Sequence, residues 1–377
     1  MRMKQKLHIP IPSAMNPLFV ALLLVFAGCG GQEEPSVEKE DGIKLSDKEI
    51  NLEVGGWKPL VESRATIFET QDDFLDDASS AKGGGNFTMH AYLRENGATF
   101  IGGARAWYFI SNNDTKGRWR FYDAVNNRFV QYYWPNSNTV DFFAYMPYKD
   151  SGRQKNITVG DYKPGTGLNL TCEMKQPTDW EDAAGQETII AYTADKSKAD
   201  GSVNMHFVHP FAAVYFKLKQ AHRNLTINWI RFNDVYLTGS TTLNATTTNS
   251  TLVEWTGSGS KGTFEIMVGK TIPTQINFGG DIGGPYLVMP QDLADATITI
   301  NYTWDNAKAE DDKVAGDENT IPTDHIYQIK RTINAAWVVG NKYTYILDLG
   351  DNQEEILFKV EVTPWDVEGH KHIIDVE

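Results

Sequence analysis

The chain has 377 residues, with 49 Asp and Glu against 35 Lys and Arg and a formal net charge of −14. No basic stripe is available to neutralise phosphates, so nucleic acid is excluded as a partner, and the charge suits a soluble, surface-exposed protein. Apolar residues make up 41% and aromatic residues 12%, enough for sizeable cores, and once a targeting segment is removed the length suggests two domains.

The N-terminus reads as an export signal over residues 1–28. Arg2, Lys4 and Lys6 form a basic start, and Leu18 to Ala27, "LFVALLLVFA", is a short apolar run. It is too short to span a bilayer and fits a signal core. It ends at "FAGC", where small Ala27 and Gly28 before Cys29 resemble a bacterial lipobox with Cys29 as the lipidated residue; Phe26 departs from the usual Leu or Val. Residues 29–45, opening "CGGQEEPSVEKEDG", are polar, acidic and without apolar periodicity, and read as a tether. Cys172 is then the one thiol left, so no internal disulfide forms and the fold must hold by packing.

In the stretch "INLEVGGWKPLVESRAT" (50–66), Ile50, Leu52 and Val54 alternate with Asn51 and Glu53, as in a strand. The pattern breaks at Gly55-Gly56, passes Trp57 and Pro59, and reaches a lone basic residue, Arg64, followed by Ala65. Residues 72–82, "DDFLDDASSAK", make a short helix at most. Past residue 86 the pattern is almost entirely of period two. "VDFFAYM" puts Val140, Phe142, Ala144 and Met146 on one face; "AVYFKLK" sets Val214, Phe216 and Leu218 opposite Tyr215, Lys217 and Lys219; "TITINYTW", "YTYILDL" and "ILFKVEV" follow the same rule. Such runs, bounded by Gly, Asn and Asp, predict half-buried antiparallel strands. The architecture is therefore all-β, as two sandwiches. Polar "DKSKADGS" near 195–202 divides an N-terminal domain (46–200) from a C-terminal one (201–377), and "DNAKAEDDKVAGDENT" (305–320) is a charged loop.

Motifs for chemistry are lacking. His206 and His209, three apart on a strand, point to opposite faces, and "HKH" at 370–372 near the terminus reads as solvated. "GSGSKG" (257–262) lacks the residue order of a phosphate loop, and "EDDKVAGDE" lacks calcium-loop spacing. No cofactor, metal or catalytic residue is expected. Trp107, Tyr108, Trp119, Tyr122, Tyr132, Tyr133 and Trp134 crowd one region; they pack a core and its cross-strand pairs, or form a sugar-stacking platform.

Five blocks occur in order: "YYWPNSNTVDFFAYMPY" (132–148), "MHFVHPFAAVYFKL" (205–218), "GPYLVMPQ" (284–291), "WVVGNKYTYILDL" (337–349) and "ILFKVEVTPWDV" (356–367). With the lipobox, they resemble the fimbrillin family of Bacteroides-type bacteria, lipoprotein subunits of type V pili. The resemblance implies two transthyretin-like β-sandwich domains, lipid attachment at Cys29, transport to the outer membrane and cell surface, and assembly with other fimbrial subunits by donor-strand exchange. It also implies an arginine-specific protease that removes the first strand, for which Arg64-Ala65 stands at the matching place. A host or bacterial surface ligand is the further partner it implies. Ile50, Leu52 and Val54 would then be a plug strand, Gly55 to Ser63 an accessible loop, and Arg64 the release point. The C-terminal "DVEGHKHIIDVE", where Ile374 and Val376 flank Asp375, is the expected donor. The competing reading is a surface glycan-binding lipoprotein that does not polymerise.

Overall fold

The computed structural model describes residues 43–55, 86–109, 118–123, 126–148, 156–177, 188–220, 225–244, 253–272, 280–304, 325–333, 335–349, 356–364 and 372–376. The signal segment, tether residues 29–42, the segment 72–82 and the loop 305–320 lie outside the described residues. Within them every regular element is a strand.

The first group comprises β1 (Leu45–Glu49), β2 (Asn51–Gly55), β3 (Asn86–Leu93), β4 (Thr99–Phe109), β5 (Arg118–Asp123), β6 (Arg128–Val130), β7 (Tyr133–Pro135) and β8 (Val140–Met146). Next come β9 (Ile157–Lys163), β10 (Gly167–Glu173), β11 (Ile189–Lys196), β12 (Ser202–His206), β13 (Ala212–Gln220), β14 (Leu225–Val235), β15 (Thr238–Leu243) and β16 (Thr256–Ser258). The rest are β17 (Gly262–Ile272), β18 (Gly280–Val288), β19 (Gln291–Asp292), β20 (Thr297–Trp304), β21 (His325–Thr332), β22 (Ala336–Trp337), β23 (Asn341–Leu349), β24 (Ile356–Pro364) and β25 (His372–Val376).

A six-stranded antiparallel sheet, β11-β8-β3-β4-β5-β6, organises the N-terminal part. Sequence alternation predicts one buried face, but all seven residues of β8 are buried. Period two still governs them, because the two faces feed different cores. Phe87, Met89, Ala91, Val140, Phe142, Ala144, Ile189 and Ala191 enter one cluster. Their alternates Tyr92, Phe143, Tyr145, Ile190 and Tyr192 enter the other. A four-stranded sheet, β16-β15-β10-β9, supplies the second cluster with Leu168, Leu170 and Cys172. A strand covered on both faces reads as a continuous apolar run rather than an alternating one, which is what "VDFFAYM" is apart from Asp141.

Asp141 is buried and fully engaged. Its Oδ2 accepts from the hydroxyls of Tyr162 (2.8 Å) and Tyr192 (2.9 Å), and its Oδ1 accepts from the Asp195 N–H (2.8 Å). Arg94 ion-pairs with Asp195 at 3.0 Å nearby. A charge removed from water persists when its lone pairs are filled in this way.

The C-terminal part has a five-stranded sheet, β18-β13-β23-β24-β25, and a four-stranded sheet, β17-β14-β20-β21. Phe216, Phe232 and Tyr345 pack between them at ring separations of 5.4 to 6.0 Å, and the Trp337 indole N–H donates to the Tyr345 hydroxyl at 3.1 Å. Two pairs depart from the antiparallel expectation: β13 with β23, and β2 with β12. Parallel neighbours need a long crossover, and both pairs join strands far apart in sequence. The junction placed at 200/201 from polarity falls just before β12. Val203, Met205 and Phe207 beyond it lie in the first cluster, and Phe211 is the first residue of the following segment to enter the second.

Candidate strand-exchange site

The chain segment 43–55 forms a ribbon with two different partners. β1 runs antiparallel to β7, with Leu45 opposite Pro135 and Glu49 opposite Tyr133. The Ile50 N–H then donates to the Tyr132 carbonyl at 2.8 Å, and the Asn136 N–H donates to the Lys44 carbonyl at 3.0 Å. After Ile50 the ribbon changes partner. β2 runs parallel to β12 in a five-residue ladder from Asn51 opposite Ser202 to Gly55 opposite His206. Side chains pin both halves at the surface: Gln131 donates to Glu49 at 3.3 Å, and Ser202 to Glu53 at 2.9 Å.

The alternation read from the sequence sets what the ribbon buries. Ile50 is 3% exposed and Leu52 7%. Both belong to the cluster of Phe87, Met89, Phe121, Trp134, Phe142, Val203 and Met205, and Ile43, Leu45 and half-buried Val54 pack against it. Asn51 and Glu53 face solvent. Among the described residues β1 is the sole ladder partner of β7, and β2 the sole ladder partner of β12. Loss of the ribbon would therefore strip two strands of backbone partners and open the cluster. Re-exposing Ile50 and Leu52 costs about 1.5–3 kcal/mol each, and each backbone group left buried and unpaired about 1–3 kcal/mol. Against a typical stability of about 5–15 kcal/mol, that loss is a large fraction of what holds a domain folded.

Cys29, Arg64 and Ala65 lie outside the described residues. The C-terminal segment forms β25, the outermost strand of the five-stranded sheet, antiparallel to β24 with Val360 opposite Ile374 and Phe358 opposite Val376. The aromatic residues of 107–134 do not form one platform. Trp134 is fully buried and meets Phe142 edge-on at 5.7 Å, Tyr132 meets Phe121 at 4.7 Å, and Trp119 meets Phe87 at 4.9 Å. Trp107 and Tyr122 contact each other edge-on at 5.0 Å on the opposite face of the sheet.

Sequence reasoning missed the partner strand of the ribbon. "VNMHF" (203–207) falls at the start of the expected C-terminal domain, and its alternation is as visible as that of 50–54. Nothing in a single sequence marks two strands some 150 positions apart as neighbours. Cys172 is structural in its setting: it is buried, and burial pushes its pKa up to about 12, with the Gly239 backbone pulling it back slightly.

The family model for fimbrillin-like proteins matches residues 103–365, more than two thirds of the chain. The chain belongs to the fimbrillin-like family. Fimbrillin-like proteins are structural, and this one is not an enzyme. Among solved structures, a fimbrial protein from Bacteroides vulgatus aligns over 85% of this chain and 100% of its own length, with 16% identity and a TM-score of 0.53. A candidate cell adhesion protein from Bacteroides ovatus aligns over 86% of this chain and 99% of its own, with 16% identity and a TM-score of 0.48. One from Bacteroides uniformis aligns over 85% and 99%, with 16% identity and a TM-score of 0.44. The first of these likenesses establishes a shared fold. Among curated proteins no match is found.

Proposed function

We propose that this fimbrillin-like protein is a structural subunit of a cell-surface pilus, exported as a lipoprotein through Cys29 and assembled by donor-strand exchange, and that it contributes to adhesion. Family membership supports the pilus role, and the fold shared with a fimbrial protein agrees with it. The observation that carries the exchange step is the ribbon 45–55, which among the described residues is the sole ladder partner of two strands and fills a core with Ile50 and Leu52. Cleavage by an arginine-specific protease between Arg64 and Ala65 would cut the ribbon from the body. Its departure would leave a groove whose backbone and apolar strip a strand from a second subunit refills, as in strand addition generally. The C-terminal β25, at the edge of its sheet, is the segment we assign as donor. Two sandwich domains, 46–200 and 201–377, and outer-membrane anchoring before processing complete the reading.

The test is digestion of the purified protein with an arginine-specific protease, followed by mass analysis of the new N-terminus and sizing under mild denaturant. The expected result is an N-terminus at Ala65 and oligomers that resist dissociation. Cutting at Arg64 that yields monomers alone would remove the basis for strand exchange.

A further inference from the structure

The face of the six-stranded sheet turned away from the ribbon has a composition at odds with the acidic chain. Arg105 and Trp107 share one side of β4; the register places Tyr122 of β5 opposite Arg105 and Arg120 opposite Trp107. Phe129 of β6 stands opposite Tyr122. By the same alternation Arg118, exposed, points with Arg120 and Tyr122. The outcome is a checkerboard of arginines and rings over β4, β5 and β6. The Arg105 guanidinium carbon lies 5.0 Å from the Trp107 ring centre, 5.4 Å from that of Tyr122 and 5.2 Å from that of Tyr148. That of Arg120 lies 4.3 Å from the Phe129 ring. These are cation–π distances. Arg105 Nε also donates to Asn86 Oδ1 at 2.7 Å, which holds the guanidinium in place.

Charge is what makes this face unusual. Arg105 and Arg120 are half-buried, and among the described residues neither pairs with a carboxylate. Strands β4, β5 and β6 send none to this side: Asp123 falls on the opposite alternation, where Arg128 lies 4.0 Å from it, and Asp141 of β8, which shares the face, accepts from Tyr162, Tyr192 and the Asp195 N–H. Neutral rings hold the cations but do not neutralise them, on a chain with a net charge of −14. Positioned guanidinium groups of this kind match carboxylate and sulfate oxygens. An acidic peptide would use the cations and leave the rings idle, whereas a sugar uses both, presenting anionic groups at its rim and an apolar C–H face to an aromatic ring.

We infer that the β4–β6 face binds an acidic polysaccharide, with Arg105 and Arg120 pairing its anionic groups and Trp107 offering the stacking surface. The site lies on the sheet face opposite the ribbon cluster, so it does not depend on strand exchange.

The experiment titrates the full chain with polygalacturonate, chondroitin sulfate, neutral dextran and polyglutamate, read by calorimetry and tryptophan fluorescence. Arg105→Gln, Arg120→Gln and Arg118→Gln are measured alongside, with thermal melts of each. The expected result is binding of the acidic polysaccharides, none of dextran, and about tenfold or greater weakening in Arg105→Gln and Arg120→Gln. Arg118→Gln, at an exposed position with no ring contact, weakens binding without moving the melt, so the site is still read if either buried variant is unstable. Absent binding of both acidic polysaccharides, or affinity unchanged in all three variants, overturns the proposal. Polyglutamate binding as tightly as the polysaccharides overturns it too, and assigns the face to an acidic protein.

Discussion

Leu52 stands directly opposite Val203 in a parallel ladder, and both side chains are buried in the same core. An N-terminal residue is thereby paired with one that follows the expected domain junction. The parallel direction dictates the polarity of any strand that takes the place of β2: to restore the ladder it must run with β12, not against it.

Replacing Leu52 by Asp tests what the ribbon contributes. The substitution deletes a buried side chain and places a carboxylate among Phe87, Trp134 and Val203. Truncating a buried Leu alone costs about 2–5 kcal/mol, and an unpaired charge adds to that. The intact protein should melt several degrees lower, while Glu53→Ala at an exposed position of the same strand should stay within about 0.5 kcal/mol of the parent. Equal melting temperatures for Leu52→Asp and the parent would mean that residues 50–54 plug nothing.

A covalent lock separates cleavage from strand release. Glu53 and Asn204 are exposed partners across the β2–β12 ladder, so Glu53→Cys with Asn204→Cys can be bridged without touching the core. The oxidised double variant should be cut by the arginine-specific protease yet remain monomeric, and reductant should then release the ribbon and restore oligomers. Oligomers forming in the oxidised state would show that assembly does not use this groove.

How much of this was legible in the sequence depended on range. The alternation at 50–54 located a strand with Ile50 and Leu52 inward, because period two is a local property of the pleat. The same rule applied to "VDFFAYM" found the face of Val140, Phe142, Ala144 and Met146. It missed that Phe143 and Tyr145 are equally buried, since a second covering sheet is contributed by β9 and β10, outside any local window. The crowding of aromatic residues between 107 and 134 was visible. Its division between two sheet faces was not, because it depends on the pairing of β4 with β5, which also brings Arg105 and Arg120 among the rings.

The Asp141 carboxylate offers a third prediction. Three donors converge on its two oxygens, and Asp141→Asn keeps the shape while turning an amide N–H₂ toward groups that themselves donate. At least one of the Tyr162, Tyr192 and Asp195 donors loses its acceptor. Hydrogen bonds to a charged group contribute about 1.5–3 kcal/mol each, so denaturant unfolding should show a loss of about 2–4 kcal/mol. The double variant with Tyr192→Phe should lose less than the sum of the single changes, because the two share one bond. Full additivity would mean that the bond contributes nothing to stability.

Alkaline pH should expose the buried tyrosines. Burial raises Tyr92 to about 12, with the Tyr145 and Asp161 charges adding to it. Burial, then the Asp141 charge, raises Tyr192, and burial raises Tyr345. Each folded pKa lies above the unfolded value near 10, so the folded state holds its proton more tightly. The associated stability is complete below about pH 10 and declines as pH climbs from there through the folded values. Each such group removes up to about 1.4 kcal/mol per pH unit in that window. Tyrosinate absorbance and circular dichroism followed together should show the buried tyrosines ionising with loss of the fold rather than before it. Ionisation of every tyrosine near pH 10 with the sheets intact would contradict the burial of these three.

The buried thiol of Cys172 gives the last prediction. Cys172 sits on β10 opposite Gly239 of β15, between two sheets, and its pKa is pushed up to about 12 by burial. Reactivity belongs to the thiolate, so at neutral pH both access and ionisation protect it. Maleimide should leave Cys172 unlabelled in the folded protein and label it fully in denaturant. The same probe then becomes a reporter of assembly. β10 belongs to the second cluster, whereas the ribbon belongs to the first, so cleavage at Arg64 and loss of the ribbon should leave the thiol protected if the body stays folded while awaiting a donor strand. Rapid labelling of the cleaved monomer would mean that departure of the ribbon unfolds more than its own groove, and that the replacement strand must arrive before the first one leaves.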